Sequence, residues 1–194
     1  VPAHPVAREI IARAGRGVIA PSANRFGHVS ATAAEHVAAD LGDAVDMIVD
    51  AGPATVGVES TIVDLAHGAA AILRPGAVTR EQLEATIGPV RASGDESVRV
   101  PGSLPSHYAP RATVELADDA IAAATRAGEL RAQGKRVTVI ARDSVEELAR
   151  QLYALMRAAD DEGSDAIVVV APRDEGLGAA VSDRLRRAAS RPAR

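Results

Sequence analysis

The chain has 194 residues, a formal net charge of −4 and 47% hydrophobic residues, which is enough apolar material to bury one large core or two small ones. It contains no cysteine, and this excludes disulfides, thiolate metal sites and cysteine nucleophiles. Aromatic residues make up only 2% of the chain, so few side chains can stack on unpaired bases, and no basic run indicates a nucleic-acid tail.

Apolar spacing and capping residues predict three helices in the first half of the chain. Apolar residues recur at helical spacing over residues 6–14. Ser30 or Thr32 is the expected N-cap of a second helix. A capping box of Thr79 and Gln82 opens a third.

Short apolar runs bounded by Gly and Pro predict strands in the same half. The predicted strands are Val18–Ala20, Met47–Val49, Ser60–Leu65 and Ala70–Leu73. His67-Gly68 separates the last two, which predicts a hairpin.

The chain changes character after residue 88. Residues 89–111 are rich in Gly, Pro, Ser and charge and lack periodicity, which indicates a linker or a functional loop. Strand and helix then alternate three times, and this predicts a small parallel sheet covered by helices. The strands are predicted at Thr113–Leu116, Arg136–Ala141 and Ala166–Val170, and the helices at Asp118–Leu130, after Ser144, and at Ala179–Ala189. The expected fold class is α/β, with a first domain over residues 1–88, a linker over 89–111 and a Rossmann-like domain over 112–194.

Four short segments carry polar residues that helix and strand formation do not require. They are Ala20–Asn24 with the following Ser30, Gly57–Asp64, Leu73–Gly76 and Pro101–Pro110. In the first, hydroxyl and amide residues before a helix start suit a phosphate, although an ordinary turn with an N-cap explains them as well. In the second, the polar residues 59–61 either point into a cleft or lie on the wet face of an edge strand.

The third and fourth segments also have two interpretations each. Arg74 either forks onto a phosphate or carboxylate or is simply solvated. His107 and Tyr108 either cover a site from the linker or belong to a semi-rigid Pro-rich connector.

The other histidines and the last helix offer weaker signals. No metal-ligand spacing relates His4, His28, His36 and His67. Arg184, Arg186 and Arg187 are interpreted as a solvated basic surface on the last helix.

Taken in order, the four segments resemble the Sua5/YrdC family. The family carries a PSAN-type loop, a Ser before a helix with a His-Val pair, a G-V-E-S-T-I-V-D stretch and an L-R-P-G turn. Its two-domain Sua5 branch adds a P-G-x-x-x-x-H-Y-x-P stretch. Here these are Pro21–Asn24, Ser30, His36-Val37, Gly57–Asp64, Leu73–Gly76 and Pro101–Pro110. Ala31 stands where the family often has Pro, which should only loosen the entry to the helix.

The resemblance implies an L-threonylcarbamoyladenylate synthase, a nucleotidyltransferase that makes threonylcarbamoyl-AMP and pyrophosphate from L-threonine, bicarbonate and ATP. A partner transfer system would then move the product to adenosine 37 of tRNA, giving t6A. The implied ATP contacts are Ser22, Ser30, Arg74 and Tyr108, and the implied threonine contacts are Ala20 and Ser60. A Mg²⁺ ion would bridge the phosphates, and no covalent nucleophile is expected because positioning and charge neutralisation suffice.

The start of the chain suggests a piece of a longer protein. It begins at Val1 rather than methionine and enters a helical pattern almost at once. We therefore expect it to lack the N-terminal part of the YrdC-like domain, which in the family holds part of the nucleotide and threonine surface. Alone, it is expected to show little or no turnover.

Two other functions stay open. The chain could be a nucleotide or double-stranded RNA-binding module without catalysis, although its negative charge and few aromatic residues disfavour more than weak RNA binding. It could also perform a carbamoyl-adenylate step inside a larger maturation factor, which the linker and the trailing α/β domain disfavour. No apolar run approaches the roughly 18 residues of a membrane span and no signal peptide is visible, which favours a cytoplasmic location without membrane contact.

Overall fold

The structure is a computed structural model that describes residues 2–92, 100–102 and 108–190. Each half of the chain contributes one three-stranded sheet. In the first half the elements are α1 (Pro5–Ala14), α2 (Ala34–Leu41), β1 (Ile62–Asp64), β2 (Ala71–Arg74), α3 (Arg80–Ile87) and β3 (Arg91–Ala92), with a 3₁₀ turn at Gly42–Ala44 after α2. In the second half they are β4 (Thr113–Ala117), α4 (Ala120–Ala132), β5 (Val137–Ile140), α5 (Val145–Asp161), β6 (Ala166–Val170) and α6 (Leu177–Ala189).

The second half is the expected parallel α/β unit. Its strand order is β4-β6-β5, and both pairings are parallel. Asp119 caps α4 by accepting from the Ala122 N–H, and Ser144 caps α5 by accepting from the Glu147 N–H. The α/β fold class is confirmed.

The first half is more loosely built. Strands β1 and β2 form the predicted antiparallel hairpin, and β3 joins β2 in parallel. The capping box of Thr79 and Gln82 is present at α3. Helices α1, α2 and α3 contain no buried residue, so the hydrophobic core does not lie in this half.

Three predictions for the first half are wrong. Val18–Ala20 and Met47–Val49 are not strands, since neither segment pairs with a neighbour among the described residues and a strand needs a ladder partner. Helix α2 follows Ala33 and has no side-chain cap. The Ser30 hydroxyl bonds Glu59 instead, while the Thr32 N–H donates to His36 Nδ1 at 3.2 Å.

The main core lies between the β4-β6-β5 sheet and helices α5 and α6. Leu152, Met156, Ile167 and Leu185 are fully buried there, as expected from the apolar stripe of α5. Two residues from outside the second half, Val29 and Tyr108, pack into the same cluster. The first-half loops and the end of the linker therefore pack against the core of the second half. Among the described residues, no helix combines the length and apolarity needed to cross a membrane.

Gly57 is a point where the two halves approach closely. Its φ is +84°, in the region that favours glycine. A Cβ here would collide with the Ala149 carbonyl of α5 and would lie 2.5 Å from the Arg150 Cα. The loop before Glu59 can therefore reach α5 only because residue 57 has no side chain.

Comparing Gly57→Ala with Gly68→Ala should separate the cost of the positive φ from the cost of the collision with α5. Gly68 has nearly the same φ, +85°, but open space around its Cβ position, so its substitution should cost only the backbone strain of about 1 kcal/mol. Gly57→Ala should cost about 2 kcal/mol more, because it also forces α5 away. Urea unfolding of both variants measures the difference. Equal losses would show that the contact between Gly57 and α5 does not exist in solution.

Candidate functional site

A cavity of about 470 Å³ opens where the first-half loops meet helix α5. Ser22, Ser30, Thr32 and Glu59 line it from the first half, and Tyr153 lines it from α5. The two serines from the PSAN-type loop and its continuation thus face the same space. The segment 51–58 closes another wall.

The Glu59 carboxylate receives hydrogen bonds from three distant parts of the chain. Its Oε1 accepts from the Ser30 hydroxyl at 2.6 Å. Its Oε2 accepts from the Tyr153 hydroxyl at 3.0 Å and from Arg184 Nε at 2.8 Å. A carboxylate with this many donors is fixed in one orientation. Glu59 therefore links the cavity wall to both α5 and α6.

The protonation states of this cluster follow from its contacts. Burial would by itself raise the pKa of Glu59, but the charge of Arg184 and the hydrogen bonds from Ser30 and Arg184 outweigh it and hold the pKa below its ordinary value of 4.5. Burial first, and then the charge of Glu59, raise the pKa of Tyr153 well above 10.0. Glu59 is thus ionised and Tyr153 protonated at neutral pH.

The same contacts decide what Ser30 offers to a ligand. An ionised carboxylate only accepts hydrogen bonds, and a serine hydroxyl has one proton. In this arrangement the Ser30 hydroxyl donates its hydrogen bond to the Glu59 carboxylate. Toward the cavity, its oxygen presents lone pairs.

Arg184 is not the solvated surface residue that the sequence suggested. Its side chain is 0% exposed and also pairs with Asp183 at 2.6 Å. It donates to the Pro75 carbonyl at 2.9 Å and lies 5.2 Å above the centre of the Tyr108 ring, a favourable cation–π distance. The interpretation was wrong because its main partner, Glu59, is remote in sequence. Arg186, by contrast, has an exposed side chain.

Arg74 is likewise buried, at 8% exposure, so the solvated alternative is wrong. Its Nε and Nη2 donate to the Ser60 carbonyl at 3.1 and 2.8 Å, and Nη2 also approaches the Ser60 hydroxyl at 3.3 Å. Its Nη1 donates to the Pro101 carbonyl at 2.9 Å. Arg74 therefore connects residues 57–61, the GVEST segment, to the start of the linker motif at Pro101.

Tyr108, at the end of the linker, packs against Arg184 and Tyr153 of the same cluster. The residue is 2% exposed, its φ is +60°, and its ring stacks on Tyr153 with centroids 5.8 Å apart. The adjacent Ala109 N–H donates to the Gly27 carbonyl. Ser103, Leu104, Pro105, Ser106 and His107 lie outside the described residues.

The predicted site residues divide into three groups. Ser22 and Ser30 share the cavity, and Ser60, Arg74 and Tyr108 belong to the neighbouring cluster around Glu59 and Arg184. Ala20 is exposed and is not part of the cavity lining. Asn24 shapes the loop, since its Nδ2 donates to the carbonyls of Arg25 and His28.

Sequence reasoning missed Tyr153 and Arg157 on α5. The Arg157 guanidinium donates to the carbonyls of Val29 and Ser30 and pairs with Asp40 at 2.6 Å. Residues 153 and 157 are one helical turn apart and so share a face. Two polar side chains at that spacing beside an apolar stripe were the available signal.

Within the part of the chain that the structure describes, no group of three or more His, Asp or Glu side chains is placed to hold a metal ion. Glu59, the carboxylate in the cavity wall, already binds Ser30, Tyr153 and Arg184.

Comparison with family profiles covers both halves. Residues 78–190 match the family Sua5_C, described as "Threonylcarbamoyl-AMP synthase, C-terminal domain". Residues 1–76 match the family Sua5_yciO_yrdC, described as "Telomere recombination".

Two named relatives are similar to nearly the whole chain. The chain is 35% identical to the threonylcarbamoyl-AMP synthases of Pyrococcus abyssi and Bacillus subtilis; each match includes 97% of this chain and 62% of the relative. It also superposes on the crystal structure of P. abyssi Sua5 complexed with L-threonine, with a TM-score of 0.89, 35% identity and coverage of 97% of this chain and 62% of that one. The chain therefore spans about 62% of the length of these relatives.

Glu59→Gln should reduce the loss of the free energy of unfolding that occurs when the pH falls. Because the native pKa of Glu59 is lowered, its ionised form stabilises the fold above pH 4.5 and this contribution is lost as the pH falls through the lower native pKa. The variant should be less stable by about 3 kcal/mol at neutral pH, with a smaller further loss below pH 4.5. Thermal unfolding between pH 6 and about 3 measures both, with Glu35→Gln on the exposed face of α2 as the matched control. If the stability of the variant fell with decreasing pH as steeply as that of the wild type, the ion pair between Glu59 and Arg184 would not exist in solution.

Proposed function

Because the chain belongs to the Sua5 family, we propose that it is part of an L-threonylcarbamoyladenylate synthase, a nucleotidyltransferase that converts L-threonine, bicarbonate and ATP into threonylcarbamoyl-AMP and pyrophosphate. The observation that carries the proposal is the cavity itself. The PSAN-type loop and the GVEST segment, which are far apart in sequence, form its walls, and the fold superposes on a relative whose crystal structure contains L-threonine.

The proposed reaction forms two bonds in sequence. The threonine amine attacks CO₂ derived from bicarbonate and loses a proton, which gives a carbamate. A carbamate oxygen then bonds to the α-phosphorus of ATP while the bond to pyrophosphate breaks. Neither step needs a covalent enzyme intermediate, so positioning and charge neutralisation account for catalysis.

The proposed residue roles follow the family resemblance. Ser22, Ser30, Arg74 and Tyr108 would contact ATP, and Ala20 and Ser60 would line the threonine pocket. For Ser30 to donate to a phosphate, its proton must turn away from Glu59, which keeps Tyr153 and Arg184 as donors. Arg74 already bonds Ser60, so one guanidinium would join the two substrate sides.

Mg²⁺ belongs to the proposal as a companion of ATP. It prefers oxygen ligands and usually binds through substrate phosphates and a few carboxylates or waters. That fits a cavity wall whose carboxylate, Glu59, is already held by Arg184. Its chemistry would be to neutralise charge on the phosphates.

The remaining parts of the proposal concern the wider process. The product would pass to a transfer system that forms t6A in tRNA, and we propose that the reaction takes place in the cytoplasm. We retain the division into domains over 1–88 and 112–194, joined by the linker 89–111. A nucleotide or RNA-binding module without catalysis is the alternative function.

Threonine-dependent release of pyrophosphate from ATP tests the function directly. The full-length protein, incubated with ATP, bicarbonate and Mg²⁺, should release pyrophosphate when L-threonine is added and should not do so with L-valine. RNA binding without threonine-dependent release would instead support the binding module.

Ser22→Ala should weaken ATP use without unfolding the protein. Ser22 is exposed in the cavity wall, so its loss removes one charge-assisted hydrogen bond to phosphate, and the KM for ATP should rise about tenfold. Ser190→Ala at the end of α6 provides the control, since the Ser190 hydroxyl donates to the Arg186 carbonyl of its own helix. Steady-state kinetics with unchanged KM and kcat would remove Ser22 from the site.

A further inference from the structure

We propose that Tyr153 and Arg157 of helix α5 are positioning residues for the ligand cavity, so that the second half of the chain completes the site of the first. This inference rests on the proposed function and deepens it. It concerns residues to which neither the four sequence motifs nor the implied substrate contacts assign a role.

Tyr153 contributes to the cavity and to its wall at once. It lines the cavity, and its hydroxyl donates to Glu59 Oε2 at 3.0 Å. The same carboxylate accepts the Ser30 hydroxyl through its other oxygen. Tyr153 therefore helps to fix the Glu59 carboxylate, and through it the position of residue 30 in the cavity wall.

The Arg157 side chain binds the backbone of the segment that contains Ser30. Its guanidinium donates to the Val29 carbonyl and to the Ser30 carbonyl, the latter at 3.3 Å. It also forms two hydrogen bonds with Asp40, at 3.1 and 2.6 Å, at the C-terminal end of α2. A planar guanidinium offers five donors in a fixed geometry that can hold two carbonyls and a carboxylate together, whereas an ammonium group has three donors on a flexible stem.

Ser30 is therefore constrained from two sides. Its carbonyl is held by Arg157 and its hydroxyl by Glu59, which Tyr153 and Arg184 hold in turn. Both α5 side chains direct their polar atoms at first-half loops rather than at their own domain. Core packing alone would be served by apolar residues, which avoid the desolvation of a guanidinium.

Constraining Ser30 matters most for a reaction whose rate depends on the placement of the reactants. Where catalysis comes from placing reactants, a displacement of about 1 Å in a binding loop can cost about a hundredfold in rate. The proposed ATP contacts include Ser30, so loosening Arg157 or Tyr153 should first affect the use of ATP. Overall stability should change less.

The test uses the full-length protein with Arg157→Lys, Tyr153→Phe and the control Arg150→Lys. Lysine keeps the charge beside Asp40 but loses the fork, and phenylalanine keeps the ring that stacks on Tyr108 but loses the hydroxyl. Arg150 lies on the same helix with an exposed side chain. The readouts are KM for ATP, kcat, and hydrogen exchange of peptides that cover residues 28–32 and α4.

The expected result is a rise of about tenfold in KM for ATP for Arg157→Lys and about fivefold for Tyr153→Phe, with kcat within about threefold. Exchange of residues 28–32 should increase in Arg157→Lys while α4 stays unchanged. Arg150→Lys should match the wild type in every readout.

Other outcomes overturn the inference. An unchanged KM, with or without faster exchange at residues 28–32, would show that the α5 contacts do not serve the site. Faster exchange throughout the second half would show that the side chains only support packing. If the wild type shows no threonine-dependent pyrophosphate release, the proposed function fails, and the exchange data alone decide whether Arg157 holds the loop.

Discussion

The hydrogen bonds of the partly buried Glu59 carboxylate are the interaction on which the arrangement of the two halves depends. The carboxylate receives the Arg184 guanidinium from α6, the Tyr153 hydroxyl from α5 and the Ser30 hydroxyl from the loop before α2. A buried charge is tolerated only when it is paired and fully hydrogen-bonded. The Arg184 charge and the two hydroxyl donors offset the desolvation of Glu59, and these contacts hold the GVEST segment against the second half.

This constraint explains why a site made of loops can be well defined. The helices of the first half bury nothing of their own, and the cavity is bounded largely by turns. Arg157 and Arg184 reach from a packed α/β core to the carbonyls of Ser30 and Pro75. Rigid elements of one half thus position the cavity loops of the other, which suits the proposed reaction because its catalysis would come from placing the reactants.

The predictability of each feature follows the range of the interaction behind it. The capping residues Ser144 and Thr79 act within one helical turn, so the sequence reveals the helices that they open. Val18–Ala20 has strand-like composition, yet strand formation depends on a partner that composition does not reveal. Arg184 was misread because its partner Glu59 is 125 residues away. The motif order indicated Ser22 and Ser30, whereas Tyr153 belongs to no motif and became visible only through its contacts.

The most direct test of the account is a crystal structure of the full-length protein with L-threonine and a non-hydrolysable ATP analogue. The account predicts that the triphosphate lies beside Ser22 and Ser30, while the Glu59 carboxylate keeps its hydrogen bonds to Tyr153 and Arg184. Ligands bound outside this cavity, or a Glu59 side chain separated from Arg184 in the complex, would contradict it.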